Sequence, residues 1–332
     1  KWPKKKSLTV LKNRFSMLNR RHLRIKVLQM LYVYYNQKES MNIKNANKEL
    51  LHSIDLMYDL YLYLLLTFQE LRKASLVKME DRSKKLRPSF DDLNPNRRFV
   101  DNTLIGKIIA SDDFQDVCKR RKVNWNSDEK QEIFRKLFIE IEKSEVYFEN
   151  MESLDDDFTS VKTFLVQLFK SEIANSSLIY NFFEEEEISW LDDIDLACSM
   201  VIKTLKMSSE SEDFIYLPLY KENDDEKEFI QKLLKQTVSL DANSEKLIEE
   251  LADNWELDRI AKMDVLLLKM AFAELQSFES IPTKVTINEY LEISKYYSTP
   301  KSNVFINGIL DKSLKKLTAD NKIIKKGRGL KE

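Results

Sequence analysis

Apolar positions recur at helical spacing along most of the chain. Leu23, Val27, Leu28, Leu31, Tyr32 and Tyr35 step by three and four and predict one helix, and the run from Leu50 to Leu71 predicts a longer one. Residues 72–98 are polar, contain Pro88 and Pro95, and predict a loop. A longer period follows. Trp125, Trp190 and Trp255 stand 65 residues apart, each preceded by a phenylalanine (Phe99, Phe164, Phe229) and followed three residues later by an aspartate (Asp128, Asp193, Asp258). Companion apolar positions repeat without a gap, as in Leu104/Phe169/Leu234, Ile108/Ile173/Val238 and Val117/Phe182/Leu247. This predicts a degenerate tandem repeat over about 95–275, each copy holding three helical stripes. The last copy ends on Ile260, Met263, Leu267, Leu268, Met270, Ala271 and Leu275. In each copy the tryptophan reads as a core anchor and the aspartate as a helix-start cap. Beyond the repeats, Pro282 opens a further helix. Thr299-Pro300 predicts an N-cap with proline at the first helical position, followed by a stripe from Phe305 to Leu317.

Composition agrees with an all-α chain. Only 4 glycines and 6 prolines occur in 332 residues, with 43% hydrophobic and 33% charged residues. No G-x-G-x-x-G turn and no G-x-x-x-x-G-K-[ST] string exists, which excludes Rossmann and P-loop enzymes. The net charge of −1 conceals an asymmetry. Residues 1–26 carry ten cations and no acid, residues 149–195 carry thirteen acids and two lysines, and residues 315–332 carry seven cations and two acids. Basic ends suggest a polyanionic partner. Cys118 and Cys198 lack metal spacing, and two cysteines without a disulfide framework fit a reducing, cytoplasmic setting. The most apolar run, Leu60–Phe68, is too short to cross a bilayer, so no membrane association is expected. The amino-terminal stretch has no apolar signal core, and Met17 offers an alternative start that leaves residues 1–16 as a basic extension.

Catalytic chemistry is scarce. His22 sits among arginines, and His52 has no nucleophile or ligand at helical spacing. Glu184 to Glu187 with Asp192, Asp193 and Asp195 lack the glycine turn of a calcium loop and read as a solvated face. No catalytic residue, metal or cofactor is expected. The informative cluster is Arg20-Arg21-His22-Leu23-Arg24 with Lys26. It puts several cations in the first turn of a helix, at the dipole end that disfavours them, where an anionic partner offsets the cost.

Arg20-Arg21-His22-Leu23-Arg24 through Leu28-Gln29-Met30-Leu31-Tyr32 resembles the arginine-rich first helix of the NusB antitermination family. The resemblance continues in Trp255-Glu256-Leu257-Asp258-Arg259-Ile260, in Ile281-Pro282-Thr283-Lys284-Val285-Thr286-Ile287-Asn288-Glu289 and in Phe305-Ile306-Asn307-Gly308-Ile309-Leu310-Asp311. It covers about 110 residues, within 18–38 and 229–317. It implies an all-α NusB-like helical bundle and no enzymatic activity. It also implies binding of boxA RNA in ribosomal RNA transcripts together with ribosomal protein NusE, in an antitermination complex with RNA polymerase, NusA and NusG. Carried onto this chain, it makes Arg20, Arg21, Arg24 and Lys26, and then Lys301, Asn303 and Phe305, the expected RNA contacts. Tyr32 is an additional candidate whose alternative is a half-buried core tyrosine. His22 stands where the family often has a third arginine. Gly308 suggests a close helix crossing or the backbone of a partner, and Asn288-Glu289 and Arg259 with Asp264 suggest internal polar links between helices.

The stretch between 40 and 215 departs from the family pattern, and the period of 65 supplies its source in extra copies of the family's own unit. Copies one and two replace Arg259 by Glu129 and Ile194, and Asp264 by Phe134 and Ser199, keeping the packing signature while losing the polar one. The expected organisation is a basic extension (1–16), a first NusB-like helix (17–40), a helix and polar loop (41–98), inserted helical repeats (99–163 and 164–215), a NusB-like core (216–318) and a basic tail (319–332). The alternative function is a helical scaffold that binds the ribosomal protein without reading RNA. Methyltransferases carrying a NusB-like domain need glycine-rich cofactor loops that this chain lacks.

Overall fold

The computed structural model describes residues 17–37, 40–220, 225–252 and 259–326; Trp255 and Asp258 of the last copy, the basic extension 1–16 and residues 327–332 of the tail lie outside them. Among the described residues every regular element is helical. The chain divides into two compact units, one from residues 18–54 and 220–332, the other chiefly from 55–219.

In the first unit, helix α1 (Arg20–Asn36) starts because the Asn19 side chain accepts the His22 backbone N–H at 3.0 Å. Helix α2 (Ile43–Ser83) begins in this unit and contributes its residues from Asp55 onward to the other. Five more helices complete the first unit and are numbered below in chain order. Its centre is the helix Lys262–Ser277, whose residues from Leu266 to Leu275 are all buried. A helix buried on every side requires neighbours all round, and the helices at 225–239, 241–251, 283–297 and 302–319 join α1 in covering it.

The other unit is organised on α2. Its later helices are α3 (Phe90–Leu93), α4 (Thr103–Ile109), α5 (Asp112–Arg121), α6 (Asp128–Ile141), α7 (Glu145–Glu152), α8 (Phe158–Leu168), α9 (Ser177–Glu186) and α10 (Ile194–Met207). Trp125 and Trp190 are buried, as core anchors should be. The Trp125 Nε1–H donates to the Tyr63 carbonyl at 3.2 Å, and the Trp190 Nε1–H to the Leu56 carbonyl at 2.8 Å. Those carbonyls stand seven residues apart, two turns along one face of α2. The Tyr63 ring meets both indoles edge-on, at 5.2 and 5.6 Å. Helices α5 and α9 begin at Asp112 and Ser177, and helix α12 (Asp241–Leu251) of the first unit begins one residue short of the next 65-residue step.

The remaining elements are α11 (Asp225–Ser239), α13 (Lys262–Ser277), α14 (Thr283–Tyr297) and α15 (Ser302–Ala319). Four local expectations are corrected. The polar stretch expected to be a loop from residue 72 is helical to Ser83, because it contains no glycine or proline before Pro88 and its polar residues favour helix. Lys78 also pairs there with Glu142. The last helix starts at Ser302 instead of Pro300. The Ser302 N–H bonds the Thr299 carbonyl at 2.9 Å, so Pro300 occupies the second position of a turn. Capping at the tryptophan-plus-three aspartate falls to a neighbour in one copy and is absent in another. Ser127 accepts the Lys130 N–H at 3.2 Å ahead of α6, and Asp193 makes no side-chain cap. No close helix crossing exists at Gly308, where an added Cβ meets nothing within 4 Å.

Candidate nucleic-acid interface

The arginines at the start of α1 face different environments. Arg20 is exposed, with its guanidinium 5.0 Å from the Phe229 ring centroid. Arg21 donates from Nε and Nη2 to the two oxygens of Glu289 at 3.0 and 2.9 Å. These bonds hold the Glu289 carboxyl below its ordinary range. Arg24 is only 1% exposed and donates to both oxygens of Glu274 at 2.8 and 2.6 Å. Glu274, fully buried, also accepts from Thr286 Oγ1 at 2.8 Å and the Tyr290 hydroxyl at 3.1 Å. Lys26 is buried as well. Two of the three arginines therefore find their anions inside the protein. The unfavourable dipole position expected of this cluster is offset by Glu289 and Glu274, which fasten α1 to α14 and α13. Glu289 forms the interhelical link that the sequence suggested. Of the three arginines, Arg20 and the outer edge of Arg21 remain open to solvent.

A second group lies at the other end of α1. Thr299, Lys301, Ser302 and Phe305 line a cleft of about 340 Å³ with Arg259, Ile260, Ala261 and Asp264. Lys301 is exposed and Phe305 half-buried. Ser298, hydrogen-bonded to Asp264, and Thr299, 2.8 Å from Ser302 Oγ, brace the turn that presents Lys301. Asn303 donates to the Leu291 carbonyl at 3.0 Å and to Ser294 Oγ at 3.3 Å, so its amide ties α15 to α14. Tyr32 is 44% exposed and lines a neighbouring cleft of about 250 Å³ with Tyr35, Asn36, Ile260, Lys262 and Lys269. The two clefts share Ile260, which brings Tyr32, Lys301 and Phe305 into one neighbourhood. Arg20 lies twelve residues before Tyr32 on α1, roughly 18 Å along the axis.

Lys262 and the cleft-facing position of Arg259 are cationic features that sequence spacing did not single out for the site. Both flank the start of α13, and their only sequence signal is position directly after the tryptophan segment. Among the described residues no group of three or more histidine, cysteine or acidic side chains is placed to hold a metal ion. Burial raises the Cys118 and Cys198 thiols to about 12, which keeps both protonated at neutral pH. Among the described residues no helix is long and apolar enough to cross a membrane.

The model of the NusB family matches residues 194–315, so the match begins at the first residue of α10. A transcription antitermination protein NusB from Salinibacter ruber is 43% identical over 104 residues, 31% of this chain and 65% of the relative. One from Chloroherpeton thalassium is 41% identical over 104 residues, covering 49% of its length. One from Listeria monocytogenes is 37% identical over 87 residues, 26% of this chain and 68% of the relative. The chain thus spans between about half and two thirds of the length of these relatives. No solved structure gives a significant match.

Proposed function

Because the chain belongs to the NusB family, we propose that it is an RNA-binding transcription antitermination factor. On this reading it binds boxA RNA of ribosomal RNA transcripts together with ribosomal protein NusE. It works in the cytoplasm, in a complex with RNA polymerase, NusA and NusG, and acts by binding without catalysis. The observation that carries the reading is the exposed Lys301 beside Phe305 and Tyr32 at the paired clefts, with Arg20 and Arg21 further along α1. Single-stranded RNA needs cations for phosphates and aromatic faces for bases, and this surface offers both. Arg24, Lys26 and Asn303, expected as contacts, support the site from within: Arg24 and Asn303 hold α1 and α15 in place through internal bonds, and Lys26 is buried.

For the domain organisation, we propose that 99–163 and 164–215 are copies of the unit whose third copy lies in the core. The support is the helix starts at 112, 177 and 241. The test of function is titration of boxA RNA against the full chain, with and without NusE, beside a scrambled RNA. Specific binding that falls steeply with salt is expected, and Arg20→Ala or Lys301→Ala should each lower the salt slope by about 1. Equal affinity for boxA and scrambled RNA, with NusE binding intact, would replace this reading by the scaffold one.

A further inference from the structure

Helix α15 ends on a Schellman cap. Asn321 takes the left-handed conformation (φ 53°), and the Asn321 and Lys322 N–H groups bond the Thr318 and Leu317 carbonyls at 3.0 and 2.9 Å. The cap turns the chain back along the segment that follows α13. There the Lys326 N–H donates to the Glu279 carbonyl at 3.0 Å, and Lys325 Nζ donates to the Phe278 carbonyl at 2.9 Å. Phe278 is buried, and its ring packs on that of Phe229 in α11 with centroids 5.2 Å apart. Cations stand on both members of this ring pair. The Arg20 guanidinium lies 5.0 Å from the Phe229 centroid, and Lys232 Nζ lies 4.8 Å from the Phe278 centroid. Arg20 from the amino-terminal basic stretch and Lys325 and Lys326 from the carboxy-terminal one are thus gathered with Lys232 at one edge of the unit.

These charges are poorly balanced from within. Among the described residues no carboxylate lies within 4.0 Å of the charged groups of Arg20, Lys232 or Lys325, and Glu228, one turn before Lys232 on α11, makes no ion pair with it. Lys326 meets Glu279 at 3.6 Å, with both side chains more than half exposed, a contact that solvent screens. Arg20 and Lys232 are exposed. Lys325 is half-buried, and desolvation holds its ammonium below the ordinary range, as befits a cation short of a counter-charge. The edge also lies where an RNA strand on the proposed surface would leave it. Ile260 and Lys262 of the paired clefts flank the start of α13, whereas Phe278 follows its end, roughly 24 Å further along the axis. Arg20 opens α1, and Tyr32 lies toward its far end. A strand running from Lys301 and Tyr32 to Arg20 therefore meets Lys232, Lys325 and Lys326 next. Both rings are buried, so the edge offers charge without a stacking face and attracts phosphates whatever their bases. An acidic protein surface would meet the same cations, but continuity with Arg20 favours RNA. We propose, resting on the reading of the chain as a boxA-binding protein, that Lys232, Lys325 and Lys326 hold the backbone of the single-stranded RNA that flanks boxA on one side.

The test is titration of the full chain at about 0.15 M salt, where screening confines charge effects to close contacts. Three RNAs are compared: boxA alone, boxA with about eight uridines added on its 5′ side, and boxA with about eight added on its 3′ side. One flank and not the other should tighten binding about fivefold and steepen the salt slope by about 2, the share of three phosphates on a single strand. Lys232→Gln with Lys325→Gln and Lys326→Gln should abolish that gain while the affinity for boxA alone and the helicity by circular dichroism stay unchanged. Lys232→Gln with Lys326→Gln, which keeps the Lys325 bond to Phe278, should remove at least half of the gain in slope. Lys301→Ala, by contrast, should weaken all three RNAs alike and preserve the gain. No gain from either flank, an equal gain from both, or a gain that survives the triple variant would each overturn the proposal, and the first would leave these cations to an acidic protein surface. Failure of the underlying reading looks different: a scrambled core then binds as tightly as boxA whatever the flanks do, and the proposal falls with it.

Discussion

The interiors of the two units are held by different means. In the unit of residues 18–54 and 220–332, the Arg24 guanidinium and the Glu274 carboxylate are buried as a charge pair, with Thr286 and Tyr290 filling the remaining acceptor positions. Lys269 is also buried and pairs with Asp241 and Glu245, and its Nζ lies 4.8 Å from the Tyr35 ring centroid. In the unit of 55–219, where Glu70 is buried but its cationic neighbour Lys73 is exposed, the equivalent work is done by aromatic packing and hydrogen bonds. Trp125 lies against Phe134, Phe182 and Tyr63, with its indole N–H on a helix carbonyl. One period before Lys269 stands Thr204, bonded to Tyr61 at 2.7 Å, and two periods before stands Ile139. The same helical plan therefore closes with or without a cation and an anion buried together. Fully buried ion pairs cost desolvation that aromatic contacts do not, so their presence, among the described residues, in one unit needs a reason beyond stability. Here they fix α1, the helix that carries the exposed Arg20 and Tyr32, in one orientation on α13 and α14.

The largest expected effect breaks that fixation. Arg24→Ala leaves the Glu274 carboxylate buried and short of its main partner, and should cost about 3–5 kcal/mol in chemical denaturation. Combining Arg24→Met with Glu274→Gln removes both charges while leaving an acceptor for Thr286 and Tyr290, and should recover more than half of the loss. A double variant no more stable than Arg24→Ala would show that the pair contributes through packing instead of through charge.

The corresponding change in the other unit should be milder. Trp190→Phe deletes the bond to the Leu56 carbonyl, but that oxygen belongs to α2 and keeps its own helical N–H partner. The loss should be about 1–2 kcal/mol, made of one hydrogen bond and a small void. A cost equal to that of Arg24→Ala would erase the distinction between the two interiors.

Much of this contrast can be read along the sequence. Arg24 falls in register with Leu28, Leu31 and Tyr35, and Glu274 with Leu267, Met270 and Ala271, so each is a charge set in an apolar stripe and each implies a buried partner of opposite sign. The arginine-rich pattern drew attention to a shared task instead, which is why the separate fates of Arg20, Arg21 and Arg24 emerged only from packing. The 65-residue period located the tryptophan anchors, since rare large side chains at equal spacing require equal environments. It could not reveal that both indoles dock on α2, a contact set by residues outside the repeat. Helix ends were least legible. Polar composition resembles a loop whether or not the chain is helical, as residues 72–83 show, and Thr299-Pro300 serves a turn as readily as a helix start.

At the surface, pH separates Glu289 from the buried pair. Its bonds with Arg21 depress its folded value below the ordinary one near 4.5. The stability it supplies is therefore complete above pH 4.5 and fades as pH falls through the lower folded value. Arg21 is 40% exposed, and screening limits the effect to about 0.5–1 kcal/mol. Glu289→Gln should be less stable than the parent by that amount at pH 7 and indistinguishable from it once the parent carboxylate is protonated. A difference that persists in acid would assign the loss to packing.

The smallest effect compares two glycines in corresponding surroundings. Gly106 in α4 and Gly308 in α15 are both exposed within helices, and at neither does an added Cβ meet an atom within 4 Å. Glycine inside a helix costs roughly 0.5–1 kcal/mol relative to alanine, so Gly106→Ala and Gly308→Ala should each stabilise the chain by about that much in thermal unfolding. The two should part company in RNA titration. Gly308 lies one turn beyond Phe305, on the helix whose start presents Lys301, so a partner's backbone reaching this face would meet the new methyl group. Gly106 belongs to the unit in which, among the described residues, no such fully buried charge pair occurs. Weaker RNA binding by Gly308→Ala alone would mark α15 as part of the contact surface, and unchanged binding by both variants would confine that surface to the turn before Ser302 and to α1.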